Sequence, residues 1–476
     1  MDPVQHVLTI FERLSAIPRG SGNEAQVAAW LQSLAAENGY PALLDEAGNL
    51  LIRIPGTPGR ENAPVVVLQG HMDMVCEKTP DSPHDFLKDA IRCIVDGDWL
   101  HADGTTLGAD NGIAIALALG LVSDPSVAHP PLELLFTVQE EVGLHGANRL
   151  QPGFVSGKIL VNLDSEDVST FIVGCAGGQT TQLNMPVEFE DASGKTAWHL
   201  KVSGLRGGHS GVDIHRHYAS ANKLIGRALA QVRQSVPVAL ISLAGGTAHN
   251  AISRGAEAVF TCDPQQTAAV EKAVAEAQMI FNQEYTPVEN EIVLTLSPAQ
   301  AGRAATEAAT VKVIQLLLAV PHGVAEMSAS IPGFVETSNN LAHIALSDGN
   351  FSMLTSQRST VMSRMTDLTA RITSIGLLAG AEVASTPAYP GWKPDMKSPL
   401  LQRSKEIYQS VFGAEPEVTL IHGGLECGTI GAIYPGMDML SIGVTIENPH
   451  SPGERMYIPS IGRIWSFMVA FLASYR

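Results

Sequence analysis

Acidic and imidazole side chains stand at five places in this sequence, three of them at the ends of apolar runs. The residues are His71 and Asp73, Asp110, Glu140 and Glu141, Asp164, and His450. The runs at 65–69, 132–138 and 159–163 read as buried strands, and in an open α/β sheet the carboxyl ends of the strands converge on one crevice. Imidazole nitrogens and carboxylate oxygens together suit borderline-soft divalent cations, zinc first. The pattern therefore indicates a hydrolase that uses two metal ions.

His71 and Asp73 lie two residues apart in extended chain, so their side chains point to the same side. A histidine that binds a metal usually needs a carboxylate to orient its ring and raise its basicity. We expect His71 to be a metal ligand and Asp73 to orient it. The alternative for this pair is a solvated strand end.

Asp110 lies within Gly108–Gly112, directly before a helix of small residues predicted at 113–122. Taken alone, an aspartate in this position is most often a helix N-cap. In the company of His71 and Glu141, a carboxylate that bridges two cations becomes the favoured interpretation.

Glu140 and Glu141 are adjacent at a strand end, and neighbouring side chains on an extended backbone point in opposite directions. One of them can bind a metal while the other faces the substrate and transfers a proton. Asp164 could alternatively belong to a solvated acidic turn, and His450 is a single histidine in a loop. The combination is far more specific than any one member.

Composition excludes several classes of protein. The 476 residues carry 30 Lys and Arg against 48 Asp and Glu, a net charge of −18, which argues against a nucleic-acid-binding protein. No apolar stretch approaches the roughly 18 residues of a membrane span, and the first residues do not resemble a signal peptide. Five cysteines without a C-x-x-C pair fit reduced thiols in the cytoplasm.

The order of predicted elements indicates an interrupted α/β domain. Strands alternate with helices up to Asp164, which predicts a mostly parallel sheet covered by helices. The predicted parts are a first part of the catalytic domain at 1–180, an inserted α+β domain at 181–394, and a second part of the catalytic domain at 395–476. The insertion reads as two similar βα-rich halves, at about 180–290 and 290–395. The apolar segment 465–472 is predicted to be a buried terminal helix.

Several short motifs resemble those of the co-catalytic zinc metallopeptidases, a family that includes carnosinases, peptidase T and carboxypeptidase G. The motifs are Gly70–Asp73, Gly108–Gly112, Glu140–Glu141, Leu163–Asp164 and Pro449–Ser451, joined by Arg19–Gly22, His145–Ala147, Gly207–Gly211 and Ile421–Gly428. Within the family the sequence is most similar to the bacterial aminoacyl-histidine dipeptidases. The resemblance spans essentially the whole chain and implies an α/β catalytic domain interrupted by a lid domain, with two zinc ions.

The resemblance also implies a role for each residue. Asp110 bridges the ions, with His71 and Asp164 completing one ion and Glu141 and His450 the other; Mn²⁺ or Co²⁺ can substitute for zinc. Glu140 is the general base and acid and Asp73 supports His71. His209 stabilises the oxyanion, and Asn250, Arg358 and the backbone of Gly424 bind the substrate carboxylate.

Two positions depart from the family pattern. Ser253 stands where the family more often has proline. Arg358 and Arg364 compete for the position of the lid arginine; we favour Arg358, because it ends a strand-like segment, whereas Arg364 fits a solvated position in the next helix.

The implied activity is hydrolysis of dipeptides with broad specificity that includes Xaa-His substrates, in the cytoplasm. An amidohydrolase that deacylates N-acyl amino acids would have the same metal site. A non-catalytic binding protein with the same fold would have lost Glu140 or a metal ligand, and neither is lost. The sequence leaves open whether the chain forms a homodimer and whether His209 acts in its own or a partner's site.

Overall fold

The computed structural model describes residues 2–289, 291–347 and 349–476. The chain divides into two compact units. Unit 1 comprises the residues up to Cys175 together with Trp392–Leu420 and Leu425–Arg476. Unit 2 comprises Ala176–Gly391 and Ile421–Gly424. The sequence places the insertion at 181–394 and does not foresee that a short loop near residue 421 would group with it.

The structure has a helix over each segment that the sequence predicts as helical, 113–122 and 465–472, and both helices are longer than predicted. In the described residues the helices are α1 Pro3–Ser15, α2 Ala25–Glu37, α3 Ala109–Ser123, α4 His145–Arg149, α5 Ala221–Arg233, α6 Thr267–Tyr285, α7 Glu307–Ala319, α8 Met362–Ala379, α9 Pro399–Phe412, α10 Glu426–Ile433 and α11 Ile458–Ala473. None of the described helices is long and apolar enough to span a membrane.

The longest described strands belong to unit 2, whereas no described strand of unit 1 exceeds six residues. The strands are β1 Ala42–Leu44, β2 Leu50–Ile54, β3 Val66–His71, β4 Cys93–Asp96, β5 Trp99–Ala102, β6 Leu132–Thr137, β7 Ile159–Asn162, β8 Thr170–Cys175, β9 Gly177–Pro186, β10 Phe189–Asp191, β11 Thr196–Ser203, β12 Gly208–His209, β13 Ala239–Gly245, β14 Ala251–Ile252, β15 Ala256–Cys262, β16 Val293–Ala299, β17 Arg303–Ala305, β18 Gly323–Met327, β19 Val335–Ser347, β20 Asn350–Ser359, β21 Glu382–Ser385, β22 Glu417–Ile421, β23 Asp438–Ser441, β24 Ile446–Glu447 and β25 Arg455–Tyr457.

The main sheet of unit 1 has the strand order β1-β2-β6-β3-β7-β23-β8-β22. The four central strands, β6, β3, β7 and β23, run parallel and are almost completely buried, as expected for a sheet covered on both faces. Antiparallel pairing begins at the β1 end of the sheet. β1 and β2 are joined by a short turn, which forces an antiparallel pair, and β2 pairs antiparallel with β6.

Not every early strand joins this sheet, contrary to the simple alternation that the sequence suggests. β4 and β5 are separated by only two residues and form a hairpin. Together with β24 and β25 they make a separate four-stranded antiparallel sheet. The hairpin and the loop that carries His450 therefore belong to one substructure of unit 1.

Helices α1, α3 and α11 pack on one another in unit 1. α3 is buried along most of its length, and its small residues, such as Ala114 and Ala118, permit close packing against β3. The predicted terminal helix is confirmed, because Phe467, Met468 and Phe471 of α11 are buried.

Unit 2 is built on an antiparallel sheet of order β16-β11-β15-β13-β19-β20-β9-β21, with β18 beside β19. The sheet and its helices divide into two halves with the same order of elements. The first half is β11-α5-β13-β15-α6-β16, and the second half is β9-α7-β19-β20-α8-β21. In each half the first strand lies between the third and the fourth, and the halves meet where β13 pairs with β19. The predicted halves were therefore correct in kind but not in their bounds, because β9 at the start of the insertion belongs to the second half.

Candidate active site

The parallel strands of unit 1 bring the predicted metal ligands to one edge of the sheet. His71 is the last residue of β3, Glu140 and Glu141 follow β6, and Asp164 follows β7. Asp110 lies in the first turn of α3, and His450 lies in the loop between β24 and β25. All of the predicted ligands therefore meet in unit 1, together with Asp73.

Within this cluster, the ligand atoms form overlapping groups that could hold metal ions. The groups are His71, Asp110 and Asp164; Asp110, Glu141 and His450; and His71, Glu140 and Glu141, with the atoms of each group within 4.8 Å of one another. The first two groups share Asp110. The third group shares His71 with the first group and Glu141 with the second, so an ion held by the third group would exclude ions from the other two.

The carboxylate of Asp110 stands between the two histidines. Its Oδ1 lies 3.1 Å from Nε2 of His71, and its Oδ2 lies 3.0 Å from Nε2 of His450. Nε2 of His71 is also 3.5 Å from Asp164, and Nε2 of His450 is 3.0 Å from Glu141. One carboxylate that presents a different oxygen to each side is the geometry needed to bridge two cations.

Asp73 fixes the orientation of His71. Its Oδ1 lies 3.2 Å from Nδ1 of His71, which leaves Nε2 directed at the cluster. The buried carboxylate of Asp73 also accepts hydrogen bonds from the backbone N–H groups of Glu140 and Glu141, at 3.0 and 3.2 Å. Burial raises the pKa of Asp73, but hydrogen bonds from His71 and from Ser21 outweigh it and hold the pKa below its usual value. Asp73 thus ties the end of β3 to the residues that follow β6.

The cluster concentrates negative charge, which raises the pKa values of several of its side chains. Burial, the neighbouring Asp164 and other acids raise the pKa of Glu140 well above its usual value. Burial and the charges of Asp110 and Glu141 raise the pKa of Asp164 to about 6. Hydrogen bonds to Asp110 and Glu141 raise the pKa of His450 to about 11. A site that attracts protons this strongly also favours divalent cations, which compete with protons for the same ligand atoms.

The donor set fits metal ions on a further ground. Oε1 of Glu141 is buried and has no hydrogen-bond partner. A buried carboxylate oxygen without a partner carries a desolvation cost, and a cation would offset it. Histidine nitrogens combined with carboxylate oxygens are the ligands of many catalytic zinc sites.

Two predicted residues of unit 2 share a small β-ribbon. His209 is the last residue of β12, which pairs with β14, and Asn250 directly precedes β14. The backbone O of Asn250 accepts a 2.7 Å hydrogen bond from the backbone N–H of Ser210. Nδ1 of His209 accepts hydrogen bonds from the backbone N–H groups of Gly211 and Val212, at 3.3 and 3.2 Å. The proton of the neutral ring must then lie on Nε2. Burial and the positive charge of Arg358 lower the pKa of His209, which favours this neutral donor form.

Arg358 and Arg364 occupy the environments that the sequence predicts. Arg358 lies near the end of β20 and is only 8% exposed. Its Nη1 donates to the hydroxyl of Tyr389 at 3.1 Å, whereas its Nε is buried without a partner. Arg364 lies in the first turn of α8 and is half exposed, near Glu326 and Glu336.

Gly424 lies in the loop between β22 and α10, and the same loop carries His422. Nε2 of His422 lies 2.7 Å from Oγ of Ser338. Burial and the charge of Arg358 lower the pKa of His422 to about 3, so the ring is neutral. The sequence had singled out this histidine only as part of a motif.

A buried polar chain beneath the predicted metal ligands was missed in the sequence. The fully buried Glu426 accepts hydrogen bonds from Gln69, at 2.5 Å, and from Thr137, at 2.7 Å. Gln69 in turn accepts from Asn162 at 2.6 Å, and Asn162 accepts from Ser441 at 2.5 Å. These bonds cross β6, β3, β7 and β23 just before the ligands. For Gln69, Thr137, Asn162 and Ser441 the signal was present, because each is a polar residue within a largely apolar strand, whereas Glu426 is the first residue of α10.

Such a cluster of histidines and acids, at the carboxyl edge of a parallel sheet, defines a metal-dependent hydrolase. Residues 67–474 match the model of the family described as peptidase family M20/M25/M40. The chain is 40% identical over 470 residues to the cytosol non-specific dipeptidase of Escherichia coli strain K12, covering 98% of this chain and 97% of the relative.

Solved structures agree with the family model. An aminoacylhistidine dipeptidase from Vibrio alginolyticus is 37% identical with a TM-score of 0.92, covering 99% of this chain and 96% of that chain. A tripeptidase from Staphylococcus aureus, with a TM-score of 0.57 and 18% identity over 98% of this chain and 97% of that chain, shares the fold. This chain belongs to peptidase family M20. The predicted family, fold class and enzyme class are confirmed.

Glu426 should make the stability of the metal-free protein depend on pH. Burial and the nearby charge of Asp164 raise its pKa from 4.5 to about 8, although His71 and Thr137 oppose the shift. The bound proton stabilises the folded state fully below pH 4.5, and this contribution is lost as the pH rises through 8. Because Gln mimics the neutral acid, Glu426→Gln should reduce the fall in Tm between about pH 5 and about pH 9. An unchanged fall in Tm, measured by thermal denaturation, would show that Glu426 is ionised in the folded protein.

Proposed function

We propose that this chain is a cytoplasmic, metal-dependent dipeptidase that hydrolyses a broad range of dipeptides, Xaa-His substrates included. The observation that carries the proposal is the pair of ligand groups that share Asp110. The dipeptidase relative, aligned over 98% of the chain at 40% identity, supports the reaction. The Vibrio structure, whose name specifies aminoacylhistidine substrates, supports the inclusion of Xaa-His. The name of the cytosolic relative and five free cysteines support the cytoplasmic location.

Two divalent ions, zinc in the first place with Mn²⁺ or Co²⁺ as substitutes, would be held by the two groups. His71, Asp164 and Asp110 would hold one ion, and Glu141, His450 and Asp110 the other. When bound, the ions would supply Lewis-acid activation of a water molecule and of the substrate carbonyl group.

Glu140 is the group that we assign to proton transfer. It is adjacent to a predicted ligand but belongs to neither of the groups that share Asp110. Its raised pKa brings it toward the pH at which a general base and acid is most effective. Glu140 would take a proton from the attacking water and return it to the departing amine nitrogen. The hydrogen bond from the backbone N–H of Glu140 to the carboxylate of Asp73 holds Glu140 at the end of β6.

Unit 2 supplies the groups suited to anionic parts of a substrate. His209, with its proton on Nε2, would donate a hydrogen bond to the carbonyl oxygen as negative charge develops there. Arg358, whose buried Nε lacks a partner, would bind the free carboxylate of the dipeptide, because a planar guanidinium matches a carboxylate. Asn250 and the backbone of Gly424 would complete the carboxylate site. Such a clamp limits substrates to very short peptides.

Glu140→Gln tests the assignment of proton transfer. The variant should bind as much zinc as the wild-type protein but lose about 10²–10⁴-fold in kcat, the usual contribution of a general acid–base group. Steady-state kinetics and metal analysis on the same preparation provide the two measurements. Loss of metal with only a modest loss of rate would assign Glu140 as the ligand and Glu141 as the base.

Arg358→Lys tests the carboxylate clamp and the substrate class. Lysine keeps the charge but not the planar fork, so kcat/KM for dipeptides should fall by about 10²-fold, as expected for a misplaced scissile bond. Arg364→Lys, at the exposed arginine of α8, is the matched control and should be nearly silent. Kinetics with dipeptides, C-terminally amidated dipeptides and N-acyl amino acids provide the readout.

The substrate panel decides between the two candidate activities. Dipeptides should be hydrolysed, and amidated dipeptides should be poor substrates because they lack the carboxylate. Faster turnover of N-acyl amino acids than of any dipeptide would make the chain an amidohydrolase. Equal turnover of free and amidated dipeptides would contradict the carboxylate clamp.

A further inference from the structure

Arg19 is a buried guanidinium that joins two segments carrying metal ligands. It lies between α1 and α2 and is 1% exposed. Its Nη1 donates to the backbone O atoms of Met72 and Asp73, at 3.1 and 3.0 Å, and its Nη2 donates to the backbone O of Gly108. Arg19 therefore links the end of β3, which carries His71, to the loop that precedes Asp110.

The glycines at both ends of the Asp110 loop make room for this guanidinium. A Cβ atom on Gly108 or on Gly112 would lie 2.5 Å from Nη2 of Arg19, closer than nonbonded atoms can approach. Gly108 also has a φ of +70°, which disfavours other residues. The Gly-x-x-x-Gly spacing around Asp110 thus fits the buried arginine as well as the turn.

Glu454 holds the same loop from the other side. It is 2% exposed. Its Oε2 accepts hydrogen bonds from the N–H groups of Leu107 and Gly108, at 2.7 and 2.9 Å. Its Oε1 accepts from Ala109 and Asp110, at 2.8 and 3.2 Å. One carboxylate thus binds four consecutive backbone N–H groups that end at Asp110.

Glu454 and His450 belong to one loop, and both contact the Asp110 segment. The backbone N–H of Glu454 donates to the O of Ser451 at 3.0 Å, which closes the turn after His450. His450 reaches Oδ2 of Asp110 while Glu454 binds the backbone N–H of the same residue. The position of His450 relative to Asp110 is therefore set through Glu454.

We infer that Arg19 and Glu454 are positioning residues, each of which preforms the ligands of a different metal ion. Arg19 fixes the position of Asp110 relative to His71 and so shapes the site of the ion that His71 and Asp164 would hold. Glu454 fixes the position of Asp110 relative to His450 and so shapes the site of the ion that Glu141 and His450 would hold. This inference rests on the proposed two-ion site. It adds residues that touch neither metal nor substrate but determine how tightly each ion binds.

Glu454→Gln is the direct test. The amide NH₂ group cannot accept hydrogen bonds, so two of the four backbone N–H groups lose their acceptor. Outer partners of this kind typically contribute about 10–100-fold to metal affinity. We expect that loss for the ion of Glu141 and His450 and a smaller loss for the other ion. Zinc titration of the metal-free protein measures the affinities, and anomalous scattering from crystals at limiting zinc locates the weakened ion.

Glu133→Gln is the matched control for a structural effect. Glu133 is also a buried acid of unit 1 that accepts backbone N–H groups, those of Ser156 and Gly157, at 2.8 and 2.9 Å. It is the second residue of β6, near the end of that strand opposite to Glu140 and Glu141. This variant should lower Tm without changing the affinity for either ion.

Two further variants keep the inference falsifiable if Glu454→Gln folds poorly. Glu454→Asp keeps the charge but is too short to reach all four N–H groups, so it should weaken the same ion. Arg19→Lys cannot span both segments and should weaken the ion of His71 and Asp164 instead. Equal weakening of both ions by each variant, or unchanged affinities, would overturn the inference while leaving the proposed two-ion site intact. Fewer than two ions in the wild-type protein would overturn both.

Discussion

The structure of unit 1 depends on how it stabilises the charge of Asp110. This carboxylate lies between two histidines, with one oxygen 3.1 Å from His71 and the other 3.0 Å from His450. Bringing several acids together in a buried place is unfavourable unless cations or protons compensate. The raised pKa values of Glu140 and His450 express this requirement in the protein alone. Divalent metal ions would meet the same requirement with greater charge.

The sheet topology makes this arrangement achievable. Parallel β6, β3 and β7 end at one edge, so residues far apart in sequence arrive together without a special connection. The buried bonds of Gln69 with Glu426 and with Asn162 lock these strands in register just before the ligands. A slip of one residue would turn His71 away from the cluster. Strand register is therefore part of the active-site geometry.

Much of the site could be predicted from the sequence, because strand periodicity and strand ends are local signals. His71, Glu140, Glu141 and Asp164 each follow an apolar run, and the structure brings them together. Arg19 and Glu454 were beyond such reasoning, since their partners are backbone groups that lie up to 347 residues away. The bounds of the two halves of unit 2 were also beyond it, because β9 pairs with β20, far along the chain. Long-range pairing leaves little trace in local composition.

The sharing of Asp110 by two ions is the central claim, and metal content tests it most directly. Wild-type protein and Asp110→Asn, each dialysed to equilibrium with zinc, are compared by elemental analysis. The account predicts two zinc ions per wild-type chain. It predicts a loss at both positions in Asp110→Asn, because the neutral amide cannot replace a bridging carboxylate. An Asp110→Asn protein that retains two zinc ions with wild-type affinity would contradict the account.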